Sequence, residues 1–220
     1  RRDGNRLGPK PDTTGANTSM SEDVDPQTPA PREGHHFRDE DTEQVHRHAE
    51  EAHERSGGEL VTAFIEIPRG SRNKYEYDED AGVWKLDRVL YSSVHYPTDY
   101  GWIPDTLAED GDHLDILVLV QEPTFPGCLI EARPLGGLDM SDEAGRDFKV
   151  LAVPEYDPRF SHYQSLEQVG PHWLREIETF FQTYKLLEDK ETEVLGWHGR
   201  DVAFQELREC RERYRKAHGN

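Results

Sequence analysis

A chain of 220 residues with 34 % hydrophobic and 32 % charged side chains is more polar than a uniformly packed globule, and its length suits one domain, with or without a tail. A formal net charge of −19 and a pI of about 4.9 argue against nonspecific binding to nucleic acid or an anionic membrane. No apolar run approaches the roughly 18 residues that a spanning helix needs.

Taken in order, residues 1–19 are rich in Gly, Pro, Thr and Asn and read as disordered, with Met20 a candidate natural start. The opening Arg1-Arg2 is followed by no apolar segment, so it is not read as a secretory signal. Residues 21–58 carry Pro-Gln-Thr-Pro-Ala-Pro and then an acidic segment containing His46, His48 and His53, which lack a zinc-like spacing. The extension 1–58 is therefore expected to be disordered or weakly helical, and the folded domain to occupy 59–220.

Leu60–Ile67 is β-branched and aromatic, and Pro68 and Gly70 close it as a strand. Lys74–Tyr77 and Val83–Leu90 alternate on either side of a turn at Asp78–Gly82, the pattern of a hairpin. Tyr96–Pro104 reads as an aromatic loop between two prolines. Leu114–Val120 is a buried strand, and Cys128–Pro134 and Phe148–Val153 are two more, with Leu138–Arg146 a loop between them. Trp173, Ile177, Phe181 and Tyr184 share one face of a helix starting near Pro171. Phe204, Leu207, Arg211 and Tyr214 mark a second helix, with Asp201 as its N-cap. Short strands with turns between them predict a mainly β, α+β domain: a small barrel with helices packed outside. The two cysteines, Cys128 and Cys210, stand far apart in no metal-ligand spacing, as expected of half-buried thiols in a reduced cytoplasm.

The chemistry concentrates where the chain is most acidic. Asp110-Gly-Asp-His-Leu-Asp115 sets three carboxylates at the mouth of a buried strand. Carboxylates this close repel one another unless a positive charge sits among them, and a hard divalent cation with oxygen ligands supplies it. The competing reading is a solvated Asp-Gly turn. A second acidic cluster follows at Asp142, Glu143 and Asp147. By strand alternation Asp147 shares a face with Lys149, and Lys74 with Glu76, while Glu66 stands between Ile65 and Ile67. A barrel brings such strands together, so Glu66, Glu76, Asp110, Asp112, Asp115, Asp142 and Asp147 can line one cavity with Lys74, Arg88, Lys149 and Lys185 interleaved. That is the inventory of phosphoryl transfer.

Ile65-Glu-Ile-Pro68, Asn73-Lys-Tyr-Glu76, Leu86-Asp-Arg88, Tyr96-Pro97 with Asp99-Tyr-Gly101, Asp110–Asp115, Asp142–Lys149 and Thr183-Tyr-Lys185 follow one another in an order that resembles the soluble, family I inorganic pyrophosphatases, the bacterial ones above all. The resemblance spans about residues 60–200. It implies a five-stranded, oligonucleotide-binding-type (OB-like) barrel with flanking helices, hydrolysis of pyrophosphate, several Mg²⁺ ions (with Mn²⁺ or Zn²⁺ as substitutes) and a homo-oligomer, a hexamer in bacterial members. It implies Asp110, Asp115, Asp142 and Asp147 as metal ligands, with Glu66 and Glu76 reaching metals directly or through water. Asp112 matches the carboxylate that activates the attacking water, with Asp147 its rival. Lys74, Arg88, Tyr100, Lys149, Tyr184 and Lys185 match the phosphate-contacting set, and Tyr96 lines the site. His113 departs from the family, which usually has Pro there; it reads as a solvent-pointing loop histidine rather than a transition-metal ligand.

Two other classes compete. An EF-hand starting at Asp110 would put Asp115 where glycine is required and Gln121 where glutamate is required, so it fails. A nucleic-acid-binding barrel needs a basic groove with stacking aromatics, whereas here carboxylates are interleaved with the aromatics.

Overall fold

The computed structural model describes residues 39–79, 81–143 and 145–219. The expectations for residues 1–38, Met20 among them, fall outside these. Eight strands and three α-helices occur among the described residues. Helix α1 (Asp39–Arg55) leads into β1 (Val61–Ile67), the hairpin β2 (Asn73–Asp78) and β3 (Val83–Val89), then β4 (Asp99–Ile103) and β5 (Leu114–Val118). After these come β6 (Leu129–Asp142), β7 (Gly145–Pro154), α2 (Pro171–Thr183), β8 (Glu193–Gly199) and α3 (Arg200–His218).

The barrel is five-stranded. β1 pairs antiparallel with β4, β4 with β5, β5 parallel with β7, and β7 antiparallel with β6, which returns to β1 and closes the ring. Closure leaves no unpaired edge inside the ring. β8 is added outside on β6, and β2–β3 form a separate two-stranded sheet.

Alternation decides what each strand buries. Leu117, Leu151 and Val153 pack with Ile177, Phe180 and Phe181 of α2. Their neighbours Ile116, Val118, Val150 and Ala152 pack with Ala203, Leu207 and Cys210 of α3. Phe64 faces a third cluster, stacked between Trp84 and Trp102 and touching Val45 of α1. β1 and β4 approach so closely that a Cβ on Gly101 would lie 1.9 Å from the Phe64 carbonyl oxygen. Only glycine fits there.

Several expectations are corrected. Tyr96–Pro104 is not all loop, because Asp99–Ile103 pairs on both edges, with β1 and β5. Leu138–Arg146 is a hairpin of extended strands, because β6 runs unbroken to Asp142 and pairs with β7 to its tip. β8 was not foreseen. Gly199, not Asp201, caps α3; Asp201 sits in its first turn, where a carboxylate complements the helix dipole. Helix α1 stands before residue 59. α1 belongs to the same compact unit as the barrel, because Val45, Ala49 and Ala52 are buried.

Candidate active site

Strand parity builds the site. Asp115 and Lys149 are register partners on the parallel β5–β7 pair, and Asp147 precedes Lys149 by one pleat. All three therefore face the same way as Leu117 and Leu151, toward α2. Tyr100 of β4 donates to Asp115 Oδ2 at 2.5 Å. The Lys149 ammonium, only 2 % exposed, bonds to Asp115 and lies 2.8 Å from both oxygens of Asp147. Burial alone would lower the Lys149 pKa, but Asp115 and Asp147 outweigh it and hold the ammonium charged. Burial and the Asp115 charge push Asp147 above the usual carboxylate range, against the pull of Lys149.

The other elements close around this pair. From β1, Glu66 accepts from the Tyr77 backbone N–H at 2.8 Å, and burial pushes its carboxyl up to about 7. The hairpin contributes Lys74 bonded to Glu76, with Asp87 at 3.4 Å, and Arg88 held by Asp87 at 2.5 Å and Glu188 at 3.1 Å. The β4–β5 connection contributes Asp110 and Asp112, the Asp112 N–H donating to Asp110 at 3.1 Å. Burial and then Asp110 raise the Asp112 pKa. The tip of β6–β7 brings Asp142 to 2.7 Å from Lys185, which follows α2, with Glu143 at 3.4 Å. Tyr184 is buried beside it and its hydroxyl pKa is raised by burial.

These side chains line one cleft of about 730 Å³. Glu66, Lys74, Glu76, Arg88, Tyr100, Asp110, Asp112, Asp115, Asp142, Asp147, Lys149, Tyr184 and Lys185 all reach it. Tyr96 does not: it is buried behind Tyr100 (ring centroids 5.4 Å apart) and against Phe180 (4.7 Å), so it supports the wall rather than forming it. His113 does not point to solvent. Nδ1 meets the Thr106 carbonyl at 2.7 Å, Nε2 meets Glu79 at 2.9 Å, and the ring stacks on Trp102 at 4.4 Å.

Sequence reasoning missed Glu79, Trp102, Tyr214 and His218, which also line the cleft. The last two come from the far end of α3, and no local pattern announces them. His46 and His53 prove to be docking residues, bonded to Asp105 and Arg211 respectively.

The donor set is all oxygen and its carboxylates outnumber its cations, which suits a hard divalent ion such as Mg²⁺. Glu76, Asp115, Asp147 and Asp142 are paired with Lys74, Lys149 and Lys185. Among the described residues no three His, Cys, Asp or Glu side chains are arranged to hold a metal ion. The chemistry of the donors fits the ion.

The sequence profile of the inorganic pyrophosphatase family matches residues 63–215. The chain is 57 % identical over 156 residues to an inorganic pyrophosphatase of Methanosarcina acetivorans, covering 71 % of this chain and 93 % of that one. It is 53 % identical to one of Synechocystis, covering 71 % and 92 %. The crystal structure of inorganic pyrophosphatase from Thermus thermophilus superposes with a TM-score of 0.70 at 50 % identity, over 71 % of this chain and 92 % of that chain. No helix among the described residues is long and apolar enough to cross a membrane. With a matching profile over most of its length, a relative sharing more than half of the aligned residues and a superposable fold, the chain belongs to the inorganic pyrophosphatase family.

Proposed function

We propose that this protein hydrolyses inorganic pyrophosphate to two orthophosphates, with water as the direct nucleophile. One observation carries the reading: carboxylates from β1, β2, the β4–β5 connection and the β6–β7 tip converge on one cleft with Lys74, Arg88, Lys149 and Lys185 between them. Asp110, Asp115, Asp142 and Asp147, with Glu66 and Glu76, would hold Mg²⁺. When bound, the ion neutralises phosphate charge and acidifies water. Mn²⁺ or Zn²⁺ would serve as substitutes.

The protein's own groups do the remaining work. Lys74, Arg88, Lys149, Lys185, Tyr100 and Tyr184 hold the diphosphate oxygens and fix the attack in line. Asp112 takes the water's proton. Both oxygens of Asp147 are committed to Lys149 at 2.8 Å, whereas Asp112 is exposed on its loop, which favours Asp112. A thiol nucleophile has no support: neither cysteine lines the cleft, and burial pushes Cys210 up to about 11. On this reading the enzyme works in the cytoplasm as a homo-oligomer, a hexamer by family resemblance, on a small-molecule substrate rather than a nucleic acid or a membrane.

The test is phosphate release from pyrophosphate with Mg²⁺, Mn²⁺ or Zn²⁺ supplied in turn. Release that is fastest with Mg²⁺ and abolished by EDTA supports the reading; no release with any metal retires it.

A further inference from the structure

Helix α1 precedes the segment that matches the family profile, 63–215, yet it reaches the rim of the cleft. Its contact runs through Glu79, just beyond β2. The Glu79 carboxylate stands between two imidazoles: His113 Nε2 is 2.9 Å from Oε2, and His46 Nε2 is 3.5 Å from Oε1. His46 uses its other nitrogen on Asp105 Oδ1 at 2.8 Å. His113 uses its own on the Thr106 carbonyl at 2.7 Å. Thr42 meets the Tyr77 hydroxyl at 3.3 Å, and Val45 packs on the Phe64–Tyr77–Trp102 cluster.

α1 thus adds a second tie between three segments that His113 already joins, through Glu79 and over Trp102. One is the hairpin that carries Lys74, Glu76 and Arg88. The second is the loop from Asp105 to Asp112. The third is β4, where Trp102 lies under His113 and pairs in register with Asp115. Side chains of the site hang from the first two of these, and neither is a member of the closed ring. Their relative placement sets how far Glu76 stands from Asp110 and Asp112.

We infer that His46 is a positioning residue: by bridging Asp105 and Glu79 it fixes the hairpin against the acidic loop, and so sets the carboxylate spacing that binds the divalent cation. This rests on the pyrophosphatase reading above. Burial of Val45, Ala49 and Ala52 docks the helix, and the His46 bridge passes that docking to the site.

The test uses the full chain in four variants: His46→Ala, Glu79→Gln, the double variant, and Arg55→Ala. The last removes the far anchor of α1, where Arg55 meets Glu131 at 2.5 Å. Mg²⁺ binding is measured by calorimetry without substrate, beside kcat and KM at saturating and limiting Mg²⁺. His46→Ala is expected to raise the Mg²⁺ Kd by about three- to tenfold, less than the roughly 10- to 100-fold of a direct contact to a metal ligand, because His46 acts at one remove. Its kcat at saturating Mg²⁺ stays near wild type.

Arg55→Ala is expected to lower Tm and leave the Mg²⁺ Kd unchanged. Because His46 acts through Glu79, the double variant is expected to bind Mg²⁺ little worse than Glu79→Gln alone. An unchanged Kd in His46→Ala, or strictly additive losses in the double variant, overturns the inference. If His46→Ala does not fold, Asp105→Gly replaces it. Glycine tolerates the left-handed backbone at that position (φ 58) and removes the carboxylate that His46 bonds, so an unchanged Kd there is equally fatal. A wild-type chain that neither binds Mg²⁺ nor releases phosphate defeats the pyrophosphatase reading itself. An active wild type with an unaltered His46→Ala defeats the bridge alone.

Discussion

A buried ammonium such as that of Lys149 is tolerable only because Asp115 and Asp147 accept its charge, and the dependence is mutual. Lys149→Met keeps the length of the side chain and removes that charge, leaving two carboxylates facing each other. The variant is expected to lose about 10- to 100-fold in kcat/KM, as truncation of a phosphate-holding cation does. Mg²⁺ should raise its Tm more than it raises that of wild type, because the ion then supplies the missing positive charge. Equal Tm shifts would contradict the proposed pairing. Arg88 differs in being only half-buried and held by Asp87 and Glu188 at the rim. Arg88→Ala is expected to weaken pyrophosphate binding, seen as a higher KM; an unchanged kcat/KM in steady-state assays would remove Arg88 from the phosphate-holding set.

The link between α1 and the barrel titrates in a defined direction. His46 faces Asp105, Glu79, the His113 ring and Tyr214. Its hydrogen bond to Asp105, then the neighbouring Glu79 carboxylate at 3.5 Å, raise its pKa from 6.5 to about 9. A raised folded-state value stabilises fully below the unfolded value and is lost as pH rises through the folded one. Burial alone would lift Glu79, but His113 and His46 outweigh it and hold its carboxyl at about 2 instead of 4.5. That contribution is present above 4.5 and lost as pH falls through 2. The difference in urea midpoint between wild type and His46→Ala should therefore be largest near pH 5–6 and shrink toward pH 9. A difference that grows with pH would contradict this. Within the barrel, Gly101→Ala forces a methyl onto the Phe64 carbonyl and is expected to cost several kcal/mol, on the order of a severe overpacking change. A denaturant midpoint within error of wild type would show that β1 and β4 are not so close.

Elements with a clear period were legible from the sequence. β1, β5, the β2–β3 hairpin and α2 carry runs or alternations that a single window detects. β4 was hidden because Pro97 and Pro104 bracket it and Gly101 interrupts its apolar pattern. The outer half of β6 was hidden by Gly136, Gly137 and its acidic residues, and the docking of α1 by a surface so polar that Val45, Ala49 and Ala52 are its only buried side chains among those described. Pleat parity foresaw the Lys74–Glu76 and Asp147–Lys149 pairs, since neighbours on one strand need no tertiary knowledge. The Tyr96 misplacement and the Glu79–His46–His113 contact depend on which loops meet across the fold, and no local period carries that.

Over the whole molecule, ring closure from β1 through β4, β5, β7 and β6 is what lets residues as distant as Glu66 and Lys185 share one cleft. In the proposed function this assembled cleft performs the hydrolysis, with Asp112 as its proton acceptor. The most direct measurement is the turnover of Asp112→Asn against wild type in Mg²⁺, with circular dichroism and Mg²⁺ calorimetry on the same samples. A loss of about 10²- to 10⁴-fold in kcat, with fold and Mg²⁺ binding intact, is the predicted result for removal of a general base. Turnover within a few-fold of wild type would contradict it.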